Sequence, residues 1–188
     1  MKTCSVLLLT AAFCLLPCAA AFPASPEAQA IGVDIGTTAA SAVMGAAAAS
    51  LSIDLPLSRS WSVDLEPSGY WSQGTDAAVL QFSLAGLVRF YLLSLFEPDT
   101  DRPVQWGPFL AAGAIAAWEH VQAVTTIDDL AIGAEFRAGY RLVFGDKGIF
   151  VEPSLGWTAF LGSRFAANAY SSSLSSGMTA AVILGYRF

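Results

Sequence analysis

The sequence has 188 residues, of which 55% are hydrophobic and 13% are charged, and its formal net charge is −6. This length predicts one domain, and the acidic balance, without a basic stripe to neutralise phosphates, argues against a nucleic-acid partner. The apolar content is high for a water-soluble domain, yet the apolar residues are spread along the chain rather than gathered into clean spans.

The amino terminus has the pattern of a secretory signal peptide over residues 1–21. Lys2 gives a positive start, Ser5–Leu16 is almost wholly apolar, and Ala19–Ala21 offers a small-x-small cleavage site. The apolar run is too short for a membrane-spanning helix. A second cleavage site follows Ala30, and Phe22–Ala30 is rich in Pro, Ala and Ser, which predicts a linker over 22–30.

All three cysteines, Cys4, Cys14 and Cys18, precede the first cleavage site. The processed chain is therefore predicted to have no disulfide, no thiol nucleophile and no cysteine-bound metal. The competing interpretation is a lipoprotein acylated on Cys18, but Pro17 occupies the position directly before the cysteine, where the lipoprotein pattern requires a small residue.

Period-two alternation of apolar and polar residues dominates the rest of the chain, 31–188, and this period is the signature of strands. The predicted strands are Ile31–Thr37, Val43–Leu55, Ser60–Glu66, Val79–Phe96, Gln105–His120, Leu130–Phe144, Ile149–Leu161 and Met178–Phe188. Compact turns are predicted near Pro56, Pro98 and Gly145. The intervening connections Pro67–Asp76, Val121–Asp128 and Gly162–Ser176 are predicted as loops.

Leu130–Phe144 shows the alternation most clearly, because its even positions are apolar while Glu135, Arg137 and Arg141 fall on the other face. About eight such strands predict an all-β fold, a transmembrane antiparallel up-and-down β-barrel, whose closure satisfies every backbone hydrogen bond. The rival is a helical membrane protein. Ile35–Ile53 lacks charge but is mostly Ala, Ser, Thr and Gly, and Ala77–Phe96 contains Arg89, which costs roughly 2.5–3.5 kcal/mol within a membrane.

The last strand ends in a terminal aromatic residue preceded by apolar residues at alternate positions: Val182, Leu184, Tyr186 and Phe188. This pattern resembles the C-terminal strand of bacterial outer-membrane β-barrels, in which the barrel assembly machinery recognises such a signal. The resemblance implies a small monomeric barrel of the OmpA, OmpX and OmpW type in the bacterial outer membrane, with outer-membrane lipid and the assembly machinery as partners.

The alternation also predicts which charges point into the barrel. The lumen set carries both signs in similar numbers and comprises Asp54, Asp64, Glu66, Arg89, Glu135, Arg137, Arg141, Glu152 and Arg187. In a narrow barrel mixed charges can pair across strands and fill the interior, whereas an ion path usually has one dominant sign. We therefore predict a polar plug.

Two further motifs are given structural interpretations. Ile31–Thr38 (IGVDIGTT) resembles the first phosphate-binding turn of the sugar-kinase and actin-like ATPase family, but the chain is too short for that fold and follows an export signal, so we predict a strand and a loop.

His120 is the only histidine and has Glu119 on the opposite face, so we predict no catalytic residue and no dedicated metal site or cofactor.

Three functional classes remain open, in this order. The first is a structural or surface-interaction protein whose outer loops meet an extracellular ligand, with Gly162–Ser176 as the most exposed surface. The second is an OmpW-like conduit for small hydrophobic molecules, lined by Phe109–Trp118. The third is a lipid A-modifying outer-membrane enzyme, and His120 is the only residue that favours it. We predict that the protein is not an enzyme.

Overall fold

The computed structural model describes residues 29–58, 60–96, 106–124, 126–145, 148–161 and 176–188. These residues form a closed barrel in which each strand pairs with its sequence neighbour and the first pairs with the last, every pair antiparallel. The eight strands are β1 (Ala30–Asp34), β2 (Ala46–Pro56), β3 (Trp61–Gln73), β4 (Ala78–Tyr91), β5 (Gly107–Gln122), β6 (Thr126–Phe144), β7 (Ile149–Leu161) and β8 (Gly177–Arg187). The predicted all-β up-and-down barrel is confirmed.

The barrel has two distinguishable ends. At the terminal end, β1 begins and β8 finishes, since Ala30 pairs with Arg187. The β2–β3, β4–β5 and β6–β7 connections lie at this end, and a single 3-10 turn, Leu92–Leu95, follows β4 there. The β3–β4, β5–β6 and β7–β8 connections lie at the opposite end, called the far end below.

Side chains alternate between the lumen and the outer surface along every strand, as the sequence predicted for β4 and β6. On β6, Glu135, Arg137 and Arg141 are buried while Ile132 and Phe136 are 60% and 58% exposed. The faces of β5, which the sequence left open, follow the same rule: Phe109 and Glu119 are inward, and Leu110 is outward. Charge and polarity are therefore concentrated inside the barrel, and most outward positions are apolar.

The first strand is shorter than the alternation of Ile31–Thr37 predicts, because a helix interrupts it. The chain leaves β1 at Asp34 and forms α1 (Ile35–Val43) before β2 begins at Ala46. Asp34 caps this helix: its Oδ1 accepts hydrogen bonds from the backbone N–H groups of Gly36 at 2.9 Å and Thr37 at 3.1 Å. The prediction of a strand and loop over Ile31–Thr38 was therefore wrong in its second half.

Other boundaries differ from the predictions as well. The strand predicted from Val43 begins only at Ala46, because Val43 belongs to α1. The predicted loop Pro67–Asp76 is strand up to Gln73, and the pairing of β2 with β3 is interrupted between Ser50↔Ser68 and Ile53↔Leu65, where Pro67 has no N–H to donate. The predicted strand Val79–Phe96 ends at Tyr91, and the 3-10 turn Leu92–Leu95 follows it. The predicted loop Val121–Asp128 is mostly strand, because β5 runs to Gln122 and β6 begins at Thr126.

Candidate functional site in the barrel lumen

The lumen near the terminal end is occupied by a cluster of five charged side chains, called here the lower network: Arg89, Arg141, Asp54, Asp64 and Glu152. Arg141 donates from Nη1 to Asp54 at 2.5 Å and from Nε to Glu152 at 2.6 Å. Arg89 reaches Asp54 at 3.2 Å, Glu152 at 3.0 Å, and Asp64 in a short ion pair. Each residue is at most 1% exposed, so every charge is withdrawn from bulk water, and each lies against at least one charge of opposite sign.

Aromatic rings pack around the two arginines of the lower network. The Arg89 guanidinium lies 4.5 Å from the Phe109 ring centroid, and that of Arg141 lies 4.4 Å from Phe150. Tyr91 donates its hydroxyl proton to Asp54 at 3.0 Å and accepts from Arg89 at 3.3 Å. All three rings are at most 1% exposed. Charged groups and rings together fill this cross-section of the barrel.

Glycines make room for these rings. A Cβ added at Gly139 would lie 2.7 Å from Phe109 Cε1 and 2.8 Å from Pro153 O, and one at Gly185 would lie 2.5 Å from Phe150 Cε1 and from Ile31 O. The rings can therefore approach the wall this closely only because it carries no side chain at these points.

A second cluster, called here the upper network, lies closer to the far end. Arg137 makes a bidentate pair with Glu66, Nη1 to Oε1 at 2.6 Å and Nη2 to Oε2 at 2.8 Å, and Nη2 also donates to Glu135 at 2.5 Å. The three side chains are between 3% and 9% exposed. They come from β3 and β6, so this cluster joins two strands that are separated by two others in the barrel wall.

The structure brings eight of the nine predicted lumen charges into these two networks. The ninth, Arg187, lies on the inward face at the end of β8 and is only partly buried. Sequence reasoning missed the rings, although Tyr91 stands two residues after Arg89 and Phe150 two before Glu152. The period-two rule that placed the charges would have placed these rings inside as well.

The wall has a distinctive seam where α1 replaces the rest of the first strand. β1 pairs with β2 only over residues 51–54 and with β8 only over 183–187, so α1 lies beside the remaining parts of both strands. Asp34 Oδ1, besides capping α1, accepts a hydrogen bond from the Val182 backbone N–H at 3.1 Å. One carboxylate therefore joins the helix to β8 across the seam.

A cavity of ≈ 170 Å³ lies inside the barrel between the upper network and the seam. Asp34 and Thr37 at the start of α1 border it, as do Glu66, Glu135 and Arg137 of the upper network. Most of its other polar lining consists of serine and threonine hydroxyls. Ala85, Ile115, Gly156, Ala180 and Ala181 complete the lining, so the described part of the lumen has polar groups set among apolar ones at this level.

His120 lies on the outer surface near the far end. Its Nδ1 is 2.8 Å from Asp128 Oδ1, its side chain is 34% exposed, and its ring stacks on Trp118 with centroids 5.9 Å apart. Asp128 is the partner that sequence reasoning missed; it faces His120 directly in the β5–β6 register. Within the described ranges, no cluster of three or more His, Cys, Asp or Glu side chains is suited to hold a metal ion.

The residues of the predicted C-terminal signal share the outward face of β8. Leu184, Tyr186 and Phe188 are 41%, 43% and 63% exposed, and Val182 is partly buried. The rings of Tyr186 and Phe188 meet edge to face with centroids 5.2 Å apart. Three predicted segments lie outside the described residues: the most exposed loop surface, residues 162–175, and the predicted signal peptide with most of the predicted linker, residues 1–28.

In comparisons with known proteins, no family model matches the sequence, and no curated protein matches it. Within the residues that the structure describes, no helix has the length and apolar character needed to cross a membrane.

Proposed function

We propose that the chain is a small bacterial outer-membrane β-barrel of the OmpA, OmpX and OmpW type, which acts through its outer surface and loops while its lumen stays plugged. The observation that carries this proposal is the lower network. Arg89, Arg141 and Glu152 are at most 1% exposed, and buried aromatic rings surround them. A solute passing along the barrel axis would have to displace these groups from their ion pairs.

The outer surface supports the membrane location. Its large exposed apolar residues lie mainly on β4 to β7, and this surface is called here the apolar belt. It includes Phe82, Leu84, Val88, Leu110, Leu130, Ile132, Phe136, Leu142, Leu155 and Trp157, each more than 40% exposed. An exposed apolar surface of this extent is unfavourable in water but suits contact with lipid.

Aromatic residues lie near both edges of this belt. Trp61 and Phe90 pack with centroids 4.7 Å apart at the terminal end, where Tyr186 also lies, and Phe82 stacks on Trp118 towards the far end. Transmembrane barrels carry such girdles where the lipid meets water. The apolar belt and its girdles support outer-membrane lipid as the surroundings of the barrel and the exposed C-terminal strand as its assembly signal.

The two alternative functions have less support. A conduit for small hydrophobic molecules needs a continuous apolar path, whereas carboxylates, a guanidinium and hydroxyls stand among the alanine and isoleucine residues that line the lumen cavity. An outer-membrane enzyme would rest on His120, whose Asp128 partner orients the ring but supplies no nucleophile. The absence of a catalytic function and of a cofactor stays a prediction.

Planar-bilayer recording tests the plug. We expect the wild-type barrel to show no large, stable conductance. We expect the double variant Glu135→Gln/Arg137→Met to have a lower free energy of unfolding while its conductance changes little. The reason is that the upper network is removed while the lower network still fills the lumen. Unfolding in urea gives the stability change. A large, stable rise in single-channel conductance in the double variant would contradict the proposal.

A further inference from the structure

We propose that the cavity between the upper network and α1 is a binding site for a small organic cation with N–H donors, a primary ammonium compound. The first step of the argument is charge. Three carboxylates border the cavity, those of Asp34, Glu66 and Glu135, against the single guanidinium of Arg137. Such a lining attracts a cation and disfavours an anion.

The guanidinium group of Arg137 does not form an anion-binding site. Arg137 donates to both oxygens of Glu66 at 2.6 and 2.8 Å and to Glu135 at 2.5 Å, so its terminal nitrogens are already directed at carboxylates. An incoming anion would have to compete with two carboxylates already in place. A molecule in the cavity would therefore lie beside the excess negative charge of Asp34 and the upper network.

The second step is a pair of buried hydroxyls on neighbouring strands. Ser154 on β7 is 6% exposed, it borders the cavity, and its Oγ has no hydrogen-bond partner among the described residues. The Oγ1 of Thr179 on β8 also borders the cavity, is buried, and has no such partner within the described part of the chain. Buried hydroxyls are nearly always hydrogen-bonded, so an occupant that forms hydrogen bonds is expected beside them, and the excess of carboxylates favours one with donor groups.

The wall is closely packed at this place. Gly156 lies between Ser154 and Thr158 on the inward face of β7, and a Cβ added there would lie 2.5 Å from the backbone oxygen of Phe136 and 2.8 Å from Thr179 Oγ1. Any larger residue at this position would therefore crowd the hydroxyl. The cavity of ≈ 170 Å³ has room for one small organic molecule or for several waters.

An ammonium group fits these features better than other occupants. It supplies three N–H donors, which carboxylate and hydroxyl oxygens can accept, and its positive charge balances the excess of carboxylates. An apolar molecule would leave the hydroxyls of Ser154 and Thr179 without partners. The inference concerns the lumen alone and does not depend on where the barrel resides.

The test uses methylammonium chloride as the probe and the processed chain refolded in detergent, with binding measured by saturation-transfer NMR and calorimetry. We expect saturable methylammonium binding that exceeds the binding of tetramethylammonium, which has no N–H donor, and of acetate. Thr179→Val and Ser154→Ala should each weaken methylammonium binding roughly 2- to 10-fold, the effect of one lost hydrogen bond. Thr126→Val, at an exposed position outside the cavity, is the control and should bind like the wild type.

A folded wild-type barrel that binds no methylammonium would show that the cavity holds only water and would overturn the inference. Preference for acetate, or unchanged affinity in both hydroxyl variants, would overturn it as well. Folding is checked on each sample by its gel mobility before and after boiling, so a failure of the barrel itself is distinguished from a failure of the site. If Ser154→Ala does not fold, Thr179→Val decides the outcome.

Discussion

Replacing Arg89 with methionine is expected to lower the free energy of unfolding by roughly 3–5 kcal/mol, because removing one partner of a buried ion cluster leaves uncompensated charge. Arg89 is fully buried and is shared by Asp54, Asp64 and Glu152. Without it these three carboxylates are left with the single guanidinium of Arg141. Urea unfolding of the detergent-refolded barrel, followed by tryptophan fluorescence, measures the change.

Arg187→Met is the matched control for this prediction. It changes the same residue type on the inward face of the barrel, but Arg187 is only partly buried at the end of β8. Partly exposed ion pairs contribute about 0–1 kcal/mol, so its loss should be much smaller. Adding Asp64→Asn to Arg89→Met should restore part of the lost stability, because one uncompensated charge is removed. Equal losses for Arg89→Met and Arg187→Met would show that the lower network does not stabilise the lumen.

Replacing Leu155 with arginine is expected to cost roughly 2–4 kcal/mol when the barrel folds in a lipid bilayer, the cost of a cation on the lipid face near the midplane. Leu155 lies midway along β7, faces outward, and is 61% exposed. On a barrel surrounded by water the same change would be nearly neutral, since surface substitutions usually alter stability by about 0.5 kcal/mol or less. Urea titration of folding into lipid vesicles measures the difference.

Leu57→Arg supplies the control for the lipid-face prediction. Leu57 is 66% exposed, close to the exposure of Leu155, but it lies in the turn between β2 and β3 at the terminal end. Both variants exchange an exposed leucine for arginine, so they differ mainly in their position relative to the apolar belt. A Leu155→Arg barrel as stable in vesicles as Leu57→Arg would argue that the belt does not meet lipid.

Local pattern was sufficient to predict the barrel and its inward face. Leu130–Phe144 alternates without interruption, and β6 extends from Thr126 to Phe144 with the predicted residues inside. The same rule misplaced the end of β3, because Pro67 and Gly69 have the composition of a turn. The strand continues there because β4 pairs with it without a break from Trp61 to Gln73, while β2 leaves a gap beside the proline. This support comes from the neighbouring strands rather than from the segment itself.

The contacts that complete the candidate site depend on residues far apart in the sequence. Asp34 joins α1 to β8 through Val182, 148 residues away, and Arg89 meets Glu152, 63 residues away. Which arginine pairs with which carboxylate is set by the register of eight strands around the closed barrel. The alternation predicts that these side chains share the lumen but carries no information about that register.

The most direct test of a lipid-embedded, plugged barrel is to refold the processed chain with and without lipid vesicles, recording far-UV circular dichroism and gel mobility before and after boiling. The structure and its apolar belt predict a β-type spectrum and a mobility that changes on boiling when vesicles are present, and neither when they are absent. A helical spectrum in vesicles would contradict the barrel. A folded β protein that forms equally well in buffer without lipid would contradict the membrane location.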